Sequence, residues 1–276
     1  MNLIGNLSLN YRQAEIDAEM IHRLKSFKCE IADLNYSISA LCFLPNNYLL
    51  AANCVTQNLI LYDSEFNLVK TFFQFNSRSL FPLSLATNKK DRIYISDSYN
   101  HRIIMTDIDL NLLYEIGSNG CKVDEFNYPC GLTYYSDLVY VCDTQNQRLQ
   151  VYNKNLVFKQ SHVLNFSPFE IQCLNSFACI RDNDQKSIHF YDLKSFELKI
   201  KYDGHNGTIF VLNNFIYEYF NESSVIFIYN CDCEIIEIVE LTPPVNDLKF
   251  NGFESICFFN GKFILATENS KKICLI

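Results

Sequence analysis

The 276-residue chain has no tryptophan, and only 8 glycines, 6 prolines and 3 methionines. So little Gly and Pro excludes collagen-like and low-complexity chains. No stretch approaches the ~18 consecutive apolar residues of a membrane-spanning helix. The opening MNLIGNLSLNYRQ also lacks the basic start and apolar core of a secretory signal. Basic residues are the minority: 23 Lys and Arg stand against 31 Asp and Glu, a net charge of −8. That balance argues against a surface built for phosphate backbones, and DNA is not expected as a partner. The 12 cysteines are scattered through apolar runs; the closest pair is Cys231-x-Cys233, and CxxC does not occur. A zinc finger is therefore not expected. The five histidines share no spacing, and neither a Ser/His/Asp nor a Cys/His arrangement stands out. The chain reads as a reduced, soluble, cytoplasmic protein with no cofactor, no bound metal and no membrane contact.

What is abundant is Phe and Tyr, 23 and 17 of them, in a composition that is 49% hydrophobic. With Ile and Val they favour strands, because branched and aromatic side chains fit a pleated, half-buried surface. A marker recurs: LYD ending at Asp63, MTD at Asp107, VYN at Asn153, FYD at Asp192, IYN at Asn230 and CLI at Ile276. The steps between these ends are 44, 46, 39, 38 and 46 residues. Before each marker stands an apolar strand such as RIYISD or LVYVCD. Another follows it, as in NLVKTFF, and a further one lies upstream, as in LSLAT or CGLTYY.

Units of four short strands, a to d, at this spacing point to a β-propeller. One blade cannot bury both faces, so the units stack in a ring. The last unit ends at Ile276 after strand c, and SFKCEIAD at 26–33 supplies the missing strand, which joins the chain ends and removes an exposed edge. The expected fold is all-β: a six-bladed propeller over 26–276, with blades near 34–75, 79–118, 125–162, 165–202, 205–242 and 246–276 plus 26–33. Residues 1–25 precede it. The stretch 11–26 has no Gly or Pro and sets Ile16, Met20 and Leu24 on one face of a short amphipathic helix. A monomeric ring is expected, with this helix as the route to any self-association.

Two units carry a closer motif. Pro82, Tyr94, Asp97, Asn100, His101, Arg102 and Ile103 in the second, and Pro129, Gly131, Tyr140, Val141, Asp143, Asn146 and Arg148 in the third, resemble the NHL repeat. The other units are degenerate. Blade one has Asn53, Thr56 and Asn58 in the motif positions; blade four keeps Asp182 with Gln185 and Ser187; blade six keeps Asn269 and Lys271; blade five keeps only the spacing. The absence of Trp disfavours a WD-repeat ring, and no Gly-Gly pair supports kelch repeats. The resemblance implies the NHL propeller of tripartite-motif proteins, without the zinc ligands of a RING or B-box and without a full coiled coil.

Asp97 and Asp143 end strand b, where a carboxylate can accept the free amides of the following turn. Arg102 and Arg148 open strand c five residues later, within reach of those carboxylates. Asp97, Asn100 and Arg102, and likewise Asp143, Asn146 and Arg148, are expected to pin the b–c turn. Its tips, Tyr99, His101, Asn146 and Gln147, then face a partner, since b–c turns and d–a loops share one face of a propeller. The candidates for that face are Arg78, Phe81, Tyr99, His101, Arg102, Tyr128, Asn146, Gln147, Arg148 and Lys271.

The expected function is a non-catalytic interaction module for a protein partner. By the resemblance, it is a substrate-recognition part of a ubiquitin-ligase-like system. The alternative is single-stranded RNA on the same face, where basic residues would meet phosphates and aromatics would stack on bases. The outsider is a metal-dependent propeller lyase or hydrolase with Glu170 and Glu254 in the channel. Two carboxylates make a thin calcium site, and both read as solvated at the channel mouth.

Overall fold

The structure is a computed structural model. It describes residues 30–33, 38–240 apart from 183, 185, 206, 213–214 and 221–224, and the strands 254–259, 262–267 and 272–275; the segment 30–33 and the last three strands are described in backbone only. The helix expected over 11–26 and Lys271 lie outside the described residues.

The protein is an all-β propeller of four-stranded antiparallel blades. Five are simple meanders in chain order. Blade one joins 40–43, 49–53, 58–62 and 68–72; blade two joins 82–87, 93–97, 102–106 and 112–116. Blade three joins 129–135, 138–143, 148–153 and 158–163; blade four joins 168–174, 177–182, 187–192 and 198–203; blade five joins 208–212, 215–220, 225–229 and 235–240. A further four-stranded sheet joins 254–259, 262–267 and 272–275 to 30–33, with Glu30 opposite Leu275 and Asp33 opposite Lys272. Strand a of each blade lies beside strand a of its neighbours, and 40–43 touches both 82–87 and 254–259. No α-helix occurs among the described residues; the helical pieces are two 3-10 turns, Ser98–Asn100 and Thr144–Asn146.

Burial explains the strand patterns. Strands 49–53, 93–97 and 102–106 are buried along their whole length. They are covered on both faces by neighbouring blades, so they read as unbroken apolar runs instead of alternating ones. The core is therefore a set of layers between blades. Leu50 and Leu59 pack on Ile93, Ile95 and Ile104; Tyr94 and Ile103 pack on Val139, Val141 and Tyr152; Ile188 and Phe190 pack on Ile216 and Tyr229. Outer strands such as 68–72 and 198–203 are largely exposed.

The recurring Asp or Asn of the sequence marker has its own chemical task. Asp63 Oδ1 accepts the N–H groups of Glu65 and Asn67, each at 2.9 Å. Asp107 accepts from Asp109 and Asn111, Asn153 from Asn155 and Val157, Asp192 from Lys194 and Ser195, and Asn230 from Asp232 and Glu234. These side chains close the c–d turns. Each turn then places one residue in the left-handed region: Phe66, Leu110, Leu156, Phe196 and Cys233, with φ between 55° and 65°. A register shift in the c–d pairing accompanies each turn.

Candidate functional site

Strand b of blades two and three ends in a fully buried aspartate. Asp97 Oδ1 accepts the N–H of Phe81 at 2.7 Å and the side-chain amide of Asn100 at 2.9 Å, and its Oδ2 pairs with Arg102 Nε at 2.7 Å. Asp143 repeats the pattern with Asn127 N at 2.7 Å, Asn146 Nδ2 at 2.9 Å and Arg148 Nε at 2.7 Å. One carboxylate thus ties the d–a loop before its blade to the b–c turn within it. The intervening 3-10 turn ends on His101 or Gln147 in the left-handed region, with φ of 53° and 50°. Gln57 and Lys186 hold the same conformation before strand c of blades one and four.

Around the channel, these turns and loops form a mouth of about 570 Å³, within the size range of ligand-binding clefts. Four repeated positions build its wall, the first residue of the b–c turns giving Cys54, Ser98 and Thr144. The second residue of each b–c turn contributes Val55, Tyr99, Gln145 and Asp184 from blades one to four. The residue before the strand-a proline contributes Phe81, Tyr128 and Ser167, and the residue after it Leu83, Cys130 and Phe169. Strand a of these three blades shifts register just after the proline, and bulges of this kind re-aim side chains beside functional sites. Phe81 and Tyr99 lie 5.2 Å apart between ring centroids, Tyr99 and Tyr128 5.3 Å, and Tyr128 and His101 4.7 Å. Tyr99 is 63% exposed and Tyr128 38%.

The sequence candidates divide. Phe81, Tyr99 and Tyr128 meet at the mouth. Arg102 does not reach it: the side chain is 1% exposed, sealed between Asp97 and Glu115, with Nη1 2.7 Å from Glu115 Oε2. As a surface contact it is a correction, because the pin consumes it. Arg148 is a second correction. Beyond Asp143 it donates to the carbonyls of Cys121, Lys122 and Glu125 at 2.7–2.8 Å, so it clamps the loop that carries Tyr128.

Asn146 turns inward to Gly120 O and Asp143, so the outward tip of blade three is Gln145. Gln147 and Arg78 are exposed but do not line the mouth. His101 is half-buried; its Nδ1 accepts from Tyr128 N at 3.1 Å, and burial holds the imidazole below its usual range. Val55, Gln145, Asp184 and Phe169 were missed, although their register relative to the strand-b end and the proline would have found them.

Below the mouth the channel narrows to a pocket of about 90 Å³ beside Glu170 and Arg181. Glu170 is no solvated carboxylate: its Oε2 lies 3.0 Å from Arg181 Nε and accepts from Ile209 N at 3.3 Å. Burial lifts its pKa and Arg181 opposes the rise. Among the described residues no group of three His, Cys, Asp or Glu is arranged to hold a metal ion; the side chain of Glu254 lies outside them.

Blade five, which kept only the spacing in sequence, has a pin of its own. Buried Glu218 accepts from Gly207 N at 2.9 Å and from the Tyr229 hydroxyl, with His205 Nδ1 at 2.8 Å. Burial and the Glu218 charge raise the Tyr229 pKa well above the usual phenol range.

The fold is a β-propeller, and within it residues 80–104, which belong to blade two, match the family model of the NHL repeat. No curated protein matches the chain. Among solved structures it is similar to virginiamycin B lyase from Staphylococcus aureus, at 11% identity and a TM-score of 0.68 over 90% of this chain and 98% of that one. A catalytically inactive variant of that lyase with quinupristin aligns at 12% identity and a TM-score of 0.69, with the same coverage. A streptogramin B lyase follows at 14% identity and 0.65, over 88% of this chain and 81% of that one. At these identities the likeness is one of fold.

Proposed function

We propose that this propeller is an interaction module that binds a protein partner across the b–c face, the partner inserting a side chain into the mouth. The observation that carries the reading is the division of labour on that face. Four aromatic groups line the mouth, the exposed Tyr99 and Tyr128 and the half-buried Phe81 and Phe169, while the two motif arginines are held in bonds within the chain. Aromatic anchors in a concave pocket are the usual centre of a protein interface. Phosphate recognition needs cations that are free to reach it. The exposed cations of the described b–c turns and d–a loops, Arg78, Lys122 and Lys186, stand outside the mouth. The described lining offers one carboxylate, Asp184, and no histidine. By the resemblance to tripartite-motif proteins, the partner is a substrate presented to a ubiquitin-ligase-like system.

The test compares two pools on the purified protein: displayed random peptides and labelled random RNA, each at low and near-physiological salt. Retained peptides that are lost on replacing Tyr99 and Tyr128 by Ala support the reading. Saturable, salt-sensitive RNA binding without peptide binding overturns it.

A further inference from the structure

We infer that the mouth receives a basic side chain, the arginine or lysine of a partner protein, between its aromatic wall and Asp184; this rests on the protein-binding reading above. The four b–c tips occupy one repeated position, yet their chemistry is graded around the ring: apolar Val55, aromatic Tyr99, amide Gln145 and acidic Asp184. The wall nearest Tyr99 is thickened by Phe81 and Tyr128. The planes of Phe81 and Tyr99 meet at 42°, and those of Tyr99 and Tyr128 at 86°. The rings thus form a corner, with both tyrosines partly open to solvent. A corner of π faces with a carboxylate elsewhere on the same wall suits a cation, which ring quadrupoles and the negative charge both attract.

The charges around the mouth leave this preference uncancelled. Arg102 is paired with Asp97 and Glu115, Arg148 with Asp143, and Arg181 with Glu170. Arg181 already stacks over the Phe169 ring at 4.9 Å, so the chain itself makes this kind of contact at the floor of the mouth, with the charge neutralised by Glu170. Asp184 is exposed, and its carboxylate makes no ion pair among the described residues. Its own N–H donates to Asp182 Oδ1 at 2.9 Å, which fixes the tip. Lys186 shares that turn, but it sits at the left-handed position, whose counterparts Gln57, His101 and Gln147 also stay off the lining. An acidic side chain or a phosphate would meet Asp184 within an acidic chain of net charge −8.

The experiment reads residue preferences from the displayed peptide library on the full chain, then repeats the reading on single variants with unchanged melting temperature. Retained peptides should be enriched in Arg or Lys at one position, and changing that residue to Met should weaken binding about tenfold. Tyr99→Ala and Asp184→Asn should each weaken it by a similar factor, and Asp184→Lys should shift the preference to acidic residues. Peptides enriched only in apolar residues, lost on Tyr99→Ala but indifferent to Asp184→Asn, would overturn this inference and leave the protein-binding reading standing. Retention of nothing but RNA, or of nothing at all, overturns both.

Discussion

Blades two and five solve one problem with different chemistry. In each, a buried carboxylate on strand b accepts a backbone N–H from the loop before strand a: Phe81 for Asp97, Gly207 for Glu218. In blade two the counter-charge is Arg102, itself held by Glu115. In blade five no arginine is among the described partners; the Tyr229 hydroxyl and the His205 ring approach instead. Blade four is a third case. Buried Asp182 caps Asp184 N, and His189 stands nearby, its Nε2 2.9 Å from Ser187 Oγ and its ring stacked on Phe166 with centroids 4.0 Å apart. The common requirement is an acceptor for loop amides that water cannot reach. The positive partner is replaceable, because a buried charge tolerates any arrangement that supplies enough donors.

Breaking the ionic version should cost most. Arg102→Ala leaves Asp97 and its turn buried without their cation, so denaturant unfolding should register a loss of about 3–5 kcal/mol. A loss near that of an exposed substitution would show that the cation adds little to the pin in blade two.

The imidazole of blade four gives a pH-dependent contrast. Burial lowers the His189 pKa from the usual 6.5 to about 4. The unfolded chain therefore takes up this proton first as pH falls. Stability should drop between pH 6.5 and 4, by up to about 3 kcal/mol at the acid end. Melting curves of His189→Gln should be flatter over that window than those of the parent.

In blade five, Tyr229→Phe removes one donor to a buried carboxylate, and about 1.5–3 kcal/mol should be lost. A double-mutant cycle with Arg102→Ala should be additive, since the two pins share no partner. The smallest effect belongs to the c–d turns. Asn153→Ala frees the N–H groups of Asn155 and Val157, which solvent can reach, for a loss of about 0.5–1.5 kcal/mol.

Much of the fold was legible because its signals are local. Strand runs, turn residues and a spacing of 38 to 46 residues stand in the sequence even where the Asp–Asn–Arg turn motif is absent. The Asp–Arg pins of blades two and three were legible for the same reason, as both partners lie within five residues of each other. Legibility failed where a side chain's availability depends on distant chain. Arg148 was expected to serve both the pin and the binding face, but three further acceptors come from the loop at 121–125, more than twenty residues upstream. Glu218 was not singled out, since its partners Gly207 and Tyr229 are each eleven residues away on other segments.

By itself the sequence determined the strand content, the repeat, the turn chemistry and which two blades carry the Asp–Asn–Arg pin, since each follows from neighbours along the chain. Only the tertiary structure decided which polar groups are consumed and which are offered. Closing four blades around the mouth brings Val55, Tyr99, Gln145 and Asp184 onto one wall, while burial removes Arg102 from the surface. Gly131 illustrates the same dependence. A Cβ there would lie 2.6 Å from the backbone oxygen of Phe169 in the next blade, and a steric limit set between blades is written in no local pattern.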